Sequence, residues 1–188
     1  LDDFNGAEQE GLGVYQVTHI NGERCSAARA YLFPHLQRPN LTIITQAMTQ
    51  RILIQQGVAV GVEYRQGKVV KQLHATREVL LSAGAMQSPQ ILMLSGVGDQ
   101  QELQQHGIEI KQHLPGVGQN FHDHPDFIFA YKVKEIQGTF GISVAGSLDM
   151  LKQVKRYRQE RRGLITTNYA ECGGFIKSSV EQKLPNFQ

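Results

Sequence analysis

Three apolar runs rich in β-branched residues follow one another closely along the chain: Arg51-Ile52-Leu53-Ile54, Ala59-Val60-Gly61-Val62-Glu63-Tyr64, and Val69 to Ala75. Gln56-Gly57 and Gln66-Gly67 separate them, and turn residues at such short intervals predict an antiparallel meander of three strands. Upstream, Gly13 to Thr18 reads as a short strand and Leu41-Thr42-Ile43-Ile44-Thr45 as a buried one. Ser26 to Leu32 reads as a short helix, capped by Ser26 and ended before Pro34. Downstream, Glu78-Val79-Leu80-Leu81-Ser82-Ala83 predicts a buried central strand running into a glycine turn at Gly84. A helix follows, with Ser88 as its N-cap and Pro89 at the first helical position, where a missing N–H costs nothing. Ser95-Gly96 closes that helix with a residue able to turn left-handed. Gln100 to His106 predicts a short helix ending at Gly107, and Ile108 to Lys111 a strand or extended segment. Leu114 to Pro125 is too dense in glycine and proline for a regular element. Phe127 to Val133 alternates as a strand. Residues 147–162 are patterned as a helix stopped by Gly163, and Gly173 to Lys177 suggests a further strand.

Strand, glycine turn and helix in succession form the unit that sets a helix N-terminus and free N–H groups beside a phosphate or dinucleotide. The fold class expected is α/β, α+β overall: a nucleotide-type domain over residues 1–125 carrying an inserted antiparallel meander, then a second domain begun by residues 126–188. The change of pattern at Pro125 marks the boundary. No internal repeat or low-complexity segment is visible. The 188 residues suffice for one full domain, or one and a part. The termini read as cut positions: Leu1 to Gly6 is already turn-like, and Leu184 to Gln188 approaches a strand.

Composition narrows the function classes. The 40% hydrophobic content suits a soluble globular chain, and no apolar run approaches the length that spans a bilayer. The formal charge of +2, from 19 basic and 17 acidic residues, gives no drive towards nucleic acid. Cys25 and Cys172 form no metal or redox spacing and read as buried thiols in a reducing compartment. The basic run Arg156, Arg158, Arg161, Arg162 reads as a solvated helix end with a favourable dipole.

The segment Gly84 to Gly98 holds a small-residue pair, Ser-Pro, two aliphatics, then Ser-Gly-aliphatic-Gly. It resembles the second signature of the glucose–methanol–choline (GMC) family of flavin-dependent oxidoreductases. Asp3-Phe4-Asn5-Gly6, Asn21-Gly22-Glu23-Arg24, Ser26-Ala27-Ala28, Arg38-Pro39-Asn40-Leu41, Ala59 to Tyr64, Leu114 to Asn120 and Asp123-His124-Pro125 are similar to family blocks, in family order. Glu171 to Phe175 is similar to a block of the choline dehydrogenase-like bacterial members. The resemblance covers essentially the whole chain and implies the middle third of a longer protein.

What the resemblance implies is specific. The cofactor is FAD, and the fold is part of an FAD/NAD(P)-binding-type domain with the start of a substrate-binding domain. The family's amino-terminal Gly-x-Gly-x-x-Gly and its carboxy-terminal catalytic histidine fall outside these residues, so no catalytic residue and no metal ligand is assigned. The block match places the adenine contact, made through main-chain N–H and C=O, on Thr49, with Met48 and Ala47 beside it. Gly84 and Ala85 come next, because a turn without Cβ permits close approach. Asp126 and His124, in the loop after Asn120, are the expected substrate-facing residues. An aspartate where choline-oxidising relatives carry a glutamate leaves a general aliphatic or aromatic alcohol as open as choline.

The expected partners are a small-molecule alcohol, a quinone or other electron acceptor, and the rest of the same polypeptide, in the cytoplasm or peripherally on the inner membrane. The reaction implied is oxidation of a primary alcohol to the aldehyde, with hydride passing to flavin. Two alternatives stand beside it. The 188 residues alone can be a folded remnant without activity, since the pyrophosphate loop is absent. A metal-dependent hydrolase using His122, Asp123 and His124 has suitable ligand types but lacks a third ligand at helical spacing.

Overall fold

A computed structural model describes residues 1–129, 131 and 144–188. In chain order its strands and α-helices are β1 (Gly11–Val14), β2 (His19–Ile20), β3 (Glu23–Arg24), β4 (Ala47–Gln55), β5 (Val58–Gln66), β6 (Val69–His74), α1 (Gly84–Leu94), β7 (Val97–Gly98), α2 (Gln100–Gln105), β8 (Gln112–His113), α3 (Val144–Glu160) and β9 (Cys172–Phe175). This is a mixed α/β fold of small, mostly antiparallel sheets and few helices. The chain forms two compact units, residues 42–129 and residues 1–41 with 130–188. The first of these divisions, between Leu41 and Thr42, has no counterpart in the sequence pattern.

The unit of residues 42–129 is built on the meander. β4, β5 and β6 pair antiparallel in that order, so β4 keeps one free edge. The β4–β5 hairpin turns through Gln56 and Gly57, both at positive φ (50° and 79°). Two left-handed residues are what a type I′ turn requires. β5 runs closest to the sheet centre, and Gly61 there sits against the Leu73 carbonyl. The buried residues of this unit are Ile52, Tyr64, Ile91, Ser95, Val97 and Leu103, with Gly61, Gly96 and Gly98. α2 begins at Asp99, whose Oδ1 accepts the N–H groups of Gln101 and Glu102 at 2.9 and 3.1 Å. It ends at Gly107 (φ 65°), as its sequence predicts. β7 and β8 pair in parallel, Val97 opposite Gln112.

The other unit pairs β1 with β9 antiparallel, Gly11 opposite Phe175. Phe4, buried, packs its ring against Tyr15 and Phe175, with centroids 5.4 and 5.5 Å apart. Glu23 joins three side chains. Its carboxylate takes Arg29 at 2.7 Å and Arg161 at 3.0 Å, and the Tyr157 hydroxyl donates to it at 3.4 Å. Arg161 also lies 5.0 Å above the Tyr157 ring. The Arg29 hydrogen bond, then its charge and that of Arg161, hold the Glu23 carboxyl below its ordinary value. Arg156, Arg158, Arg161 and Arg162 are all exposed, as expected of a solvated basic run, and Arg161 pairs with Glu23 from that surface.

Several expectations need correction. Leu41 to Thr45 and Glu78 to Ser82 are not strands. Apolar β-branched composition supplies a side-chain preference, but a strand needs a neighbour for its N–H and C=O groups. No described strand pairs with either run, and Ile43, Ile44 and Leu80 are exposed. Pro89 is inside α1 rather than at its first position. The helix starts one turn earlier, where Gly84 takes φ 89°, and the Ser88 hydroxyl reaches back to accept the Ala83 N–H at 3.1 Å. Residues 28–32 form a π-helical turn, and Pro34 lies in a 3₁₀ turn at Phe33–His35. Ser26 still accepts the Arg29 N–H there, at 3.2 Å. Cys25 is buried but Cys172 is exposed. Of the strand expected over Phe127 to Val133, Phe127 to Phe129 and Tyr131 are in no strand; Ala130, Lys132 and Val133 lie outside the described residues. Among the described residues no helix is long and apolar enough to cross a membrane.

Candidate functional site

The free edge of β4 faces α1, and a cleft of about 460 Å³ opens between them. β4 supplies Ala47, Met48, Thr49 and Gln50; α1 and its approach supply Ala83, Gln87, Gln90, Ile91 and Leu94. Residues 83, 87, 90 and 94 recur at helical spacing, so one face of α1 forms the wall. None of the nine carries a charge. Methyl and methylene groups line the floor, with Ile91 buried, and three glutamine amides stand around it.

The strand register decides which main-chain groups face this cleft. In an antiparallel pair, successive residues alternately exchange bonds with the partner and point their N–H and C=O away. The Ile52 N–H points away from β5, because it donates to the Ser95 hydroxyl on the α1 side at 2.8 Å. A regular strand would bring Gln50 next into that phase. The β4–β5 register instead slips between Thr49 and Arg51: Arg51 is opposite Glu63 and Thr49 opposite Tyr64. The extra residue, Gln50, is a bulge, and it shifts the alternation by one. Thr49 therefore joins Ile52 in presenting its main chain to the α1 side.

Ser95 holds the two walls together. It is buried, its hydroxyl donates to the Ile91 carbonyl at 2.5 Å, and it accepts the Ile52 N–H from β4. Beyond it, Gly96 takes φ 86° and ends the helix as the sequence predicts, its N–H bonded to the Met93 carbonyl at 2.9 Å. At the far side of the bulge, Arg51 pairs with Glu63 at 2.9 Å. Hydrogen bonds from Arg51 and then Gln72 hold the Glu63 carboxyl below its ordinary value, so this charge is balanced within the sheet.

Of the residues singled out from sequence, Ala47, Met48 and Thr49 line the cleft. Gly84 and Ala85 do not; their neighbour Ala83 does. A Cβ on Gly84 would meet nothing within 4 Å, so within this chain its glycine serves the positive φ and no close approach. His124 and Asp126 are exposed in the segment after Asn120 and are not among the lining residues. The His124 N–H donates to Asp123 Oδ1 at 2.8 Å, and His122 Nδ1 lies 2.7 Å from the Asn120 carbonyl. Among the described residues no group of three or more His, Cys, Asp or Glu is gathered as a metal site. The sequence reading missed Gln50, Gln87, Gln90, Ile91, Leu94 and Ser95. The helical spacing of 83, 87, 90 and 94 would have found the α1 wall once the helix start was placed at Gly84.

Comparison with known proteins identifies relatives of this arrangement. The sequence profile of the family described as GMC oxidoreductase matches residues 1–126. An alcohol dehydrogenase [acceptor] of Pseudomonas putida is 45% identical over 188 residues, covering 99% of this chain and 34% of that protein. An oxygen-dependent choline dehydrogenase of Photobacterium profundum is 39% identical over 190 residues, covering 100% of this chain and 33% of that protein. The chain thus spans about a third of the length of these curated relatives. Among solved structures, an FAD-dependent oxidoreductase from Chaetomium thermophilum matches with a TM-score of 0.73 at 26% identity, over 84% of this chain and 28% of that one.

Proposed function

This chain belongs to the GMC oxidoreductase family, and we propose that it forms the adenine side of the FAD site in an enzyme that oxidises a primary alcohol to the aldehyde. The observation that carries this reading is the cleft between β4 and α1. It has the size of a small-ligand site, an uncharged and partly apolar lining, and a strand edge that no other described strand pairs with. A flat neutral base with hydrogen-bonding edges fits such a lining, whereas an isolated charge would find no counter-ion there.

In this reading Thr49 offers its main-chain N–H and C=O to the base edge. Ile91, Leu94 and Met48 exclude water from its faces. Residues 1–125 belong to the cofactor domain, and 126–188 begin the substrate domain, with Asp126 and His124 turned to the alcohol. FAD, when bound, supplies the hydride acceptor, and the electrons pass on to a quinone or another acceptor. The proton of the alcohol O–H goes to a base outside these residues, so the 188 residues alone turn over no alcohol. The substrate is choline or an aliphatic or aromatic alcohol; the names of the two curated relatives support both classes.

The test is the full-length protein, purified and examined by absorption for bound flavin. Choline, a linear primary alcohol and benzyl alcohol are then offered without oxygen. Bleaching of the flavin band by one of them supports the reading. A protein that purifies without flavin and takes up none when FAD is added refutes it.

A further inference from the structure

The two walls of the cleft come from segments more than thirty residues apart. Among the described residues, the hydrogen bond from the Ile52 N–H to the Ser95 hydroxyl ties the edge of β4 to the end of α1. Ser95 is in turn tied to its own helix through the Ile91 carbonyl, and Ile91 is part of the cleft lining. The bond therefore fixes both the distance between the walls and the phase of β4. Two positions back along the strand from Ile52, the bulge at Gln50 converts that phase into an outward-facing main chain at Thr49.

We propose that Ser95 and the Gln50 bulge together form a positioning device for the nucleotide: Ser95 anchors the edge of β4, and the bulge turns the Thr49 main chain into the cleft. This rests on the adenine reading above and adds to it the residues that set the geometry. Without the Ser95 hydroxyl, the Ile52 N–H loses its partner, and among the described residues no other hydrogen bond joins β4 to α1. Without the bulge, with Gln50 given its own partner on β5, the alternation reverts, and Thr49 turns its N–H and C=O towards β5.

The test uses the full-length apoprotein and two probes, ADP and riboflavin 5′-phosphate, titrated calorimetrically against wild type, Ser95→Ala and a variant with one alanine inserted between Glu63 and Tyr64, which gives Gln50 a partner and removes the bulge. Thermal melting confirms folding of each. The device acts on the adenine half, so ADP affinity falls roughly tenfold in both variants while riboflavin 5′-phosphate affinity stays within about twofold. A general loss of structure would weaken both probes alike. Ser95→Cys keeps a weak acceptor at the same place and retains part of the ADP affinity; it also serves if Ser95→Ala does not fold. Folded variants that bind ADP as wild type does overturn the proposal and leave the adenine reading standing. Wild-type protein that binds riboflavin 5′-phosphate but no ADP overturns the adenine reading itself, and this proposal with it.

Discussion

Gly96 and Gly107 end α1 and α2 in the same way, and substituting each by alanine separates two physical effects. Both follow a C-cap residue, and both are left-handed, at φ 86° and φ 65°. An alanine at either position meets the left-handed penalty, roughly 1–2 kcal/mol. Their surroundings differ. A Cβ at position 107 meets nothing within 4 Å. One at position 96 would overlap the Glu109 carbonyl oxygen, with the Lys111 Cγ at 2.9 Å and the Lys111 N at 3.1 Å. The obstruction is backbone, so it cannot swing aside as a side chain would. It is also backbone in use: the Gly96 carbonyl accepts the N–H groups of Lys111 and Gln112 at 2.8 and 3.0 Å, which aligns β8 on β7. Overpacking of this kind adds roughly 1–3 kcal/mol. Gly107→Ala is therefore expected to cost about 1–2 kcal/mol and Gly96→Ala about 2–5. Urea unfolding followed by circular dichroism measures both, with hydrogen exchange at Val97 and Gln112 reporting the loss of β7–β8 pairing in Gly96→Ala alone. Equal destabilisation of the two variants, within about 0.5 kcal/mol, would refute the argument from close approach.

Two further outcomes follow from the same geometry. Because its neighbours lower the Glu23 carboxyl below its ordinary value of 4.5, the stability it contributes is fully present above that value and is lost as pH falls through the folded-state value. The melting temperature of wild type should thus exceed that of Glu23→Gln at pH 7, with the gap closing as pH is lowered below about 4.5; a gap that stays constant down to pH 3 would sink the ion-pair account. At the cleft, Thr49→Val leaves the main chain intact and should hold FAD affinity in the full-length protein within about twofold, whereas Thr49→Pro removes the outward N–H and should weaken it roughly tenfold or more. Proline is tolerated on an edge strand where its nitrogen faces away from the ladder, so the Pro variant should still fold, and flavin retention equal to wild type in it would rule out the main-chain contact.

Local rules were legible in the residues. The meander was, because alternation and the two glycine turns need only neighbouring positions. So were the ends of both helices, since Gly96 and Gly107 are among the few residues that adopt a left-handed conformation without strain. The family was legible in the Gly84 to Gly98 segment, a string of backbone requirements that leaves little freedom of residue type. Thr49, Met48 and Ala47 reached the cleft by that resemblance, and nothing in their own side chains marked them. The start of α1 was misplaced by one turn because Ser88-Pro89 carries a capping signal that the tertiary arrangement uses otherwise.

Everything that depends on a partner distant in the chain was settled by packing. Leu41 to Thr45 and Glu78 to Ser82 have the composition of strands, but a strand exists only where another pairs with it, and no described strand pairs with either run. Glu23 and Arg161 stand 138 positions apart, and their pairing is invisible to any window of sequence. The phase of β4 is the decisive case. Residue identities from Thr49 to Ile52 fit a regular strand as well as a bulged one; the slip at Gln50 and the hydroxyl of Ser95, 43 positions from Ile52, determine which main-chain groups face the cleft. The family, the hairpins and the helix ends follow from residues close together in the chain, because those are local backbone conditions. The site's geometry was left to packing, because it is set by which edge meets which helix and in what register.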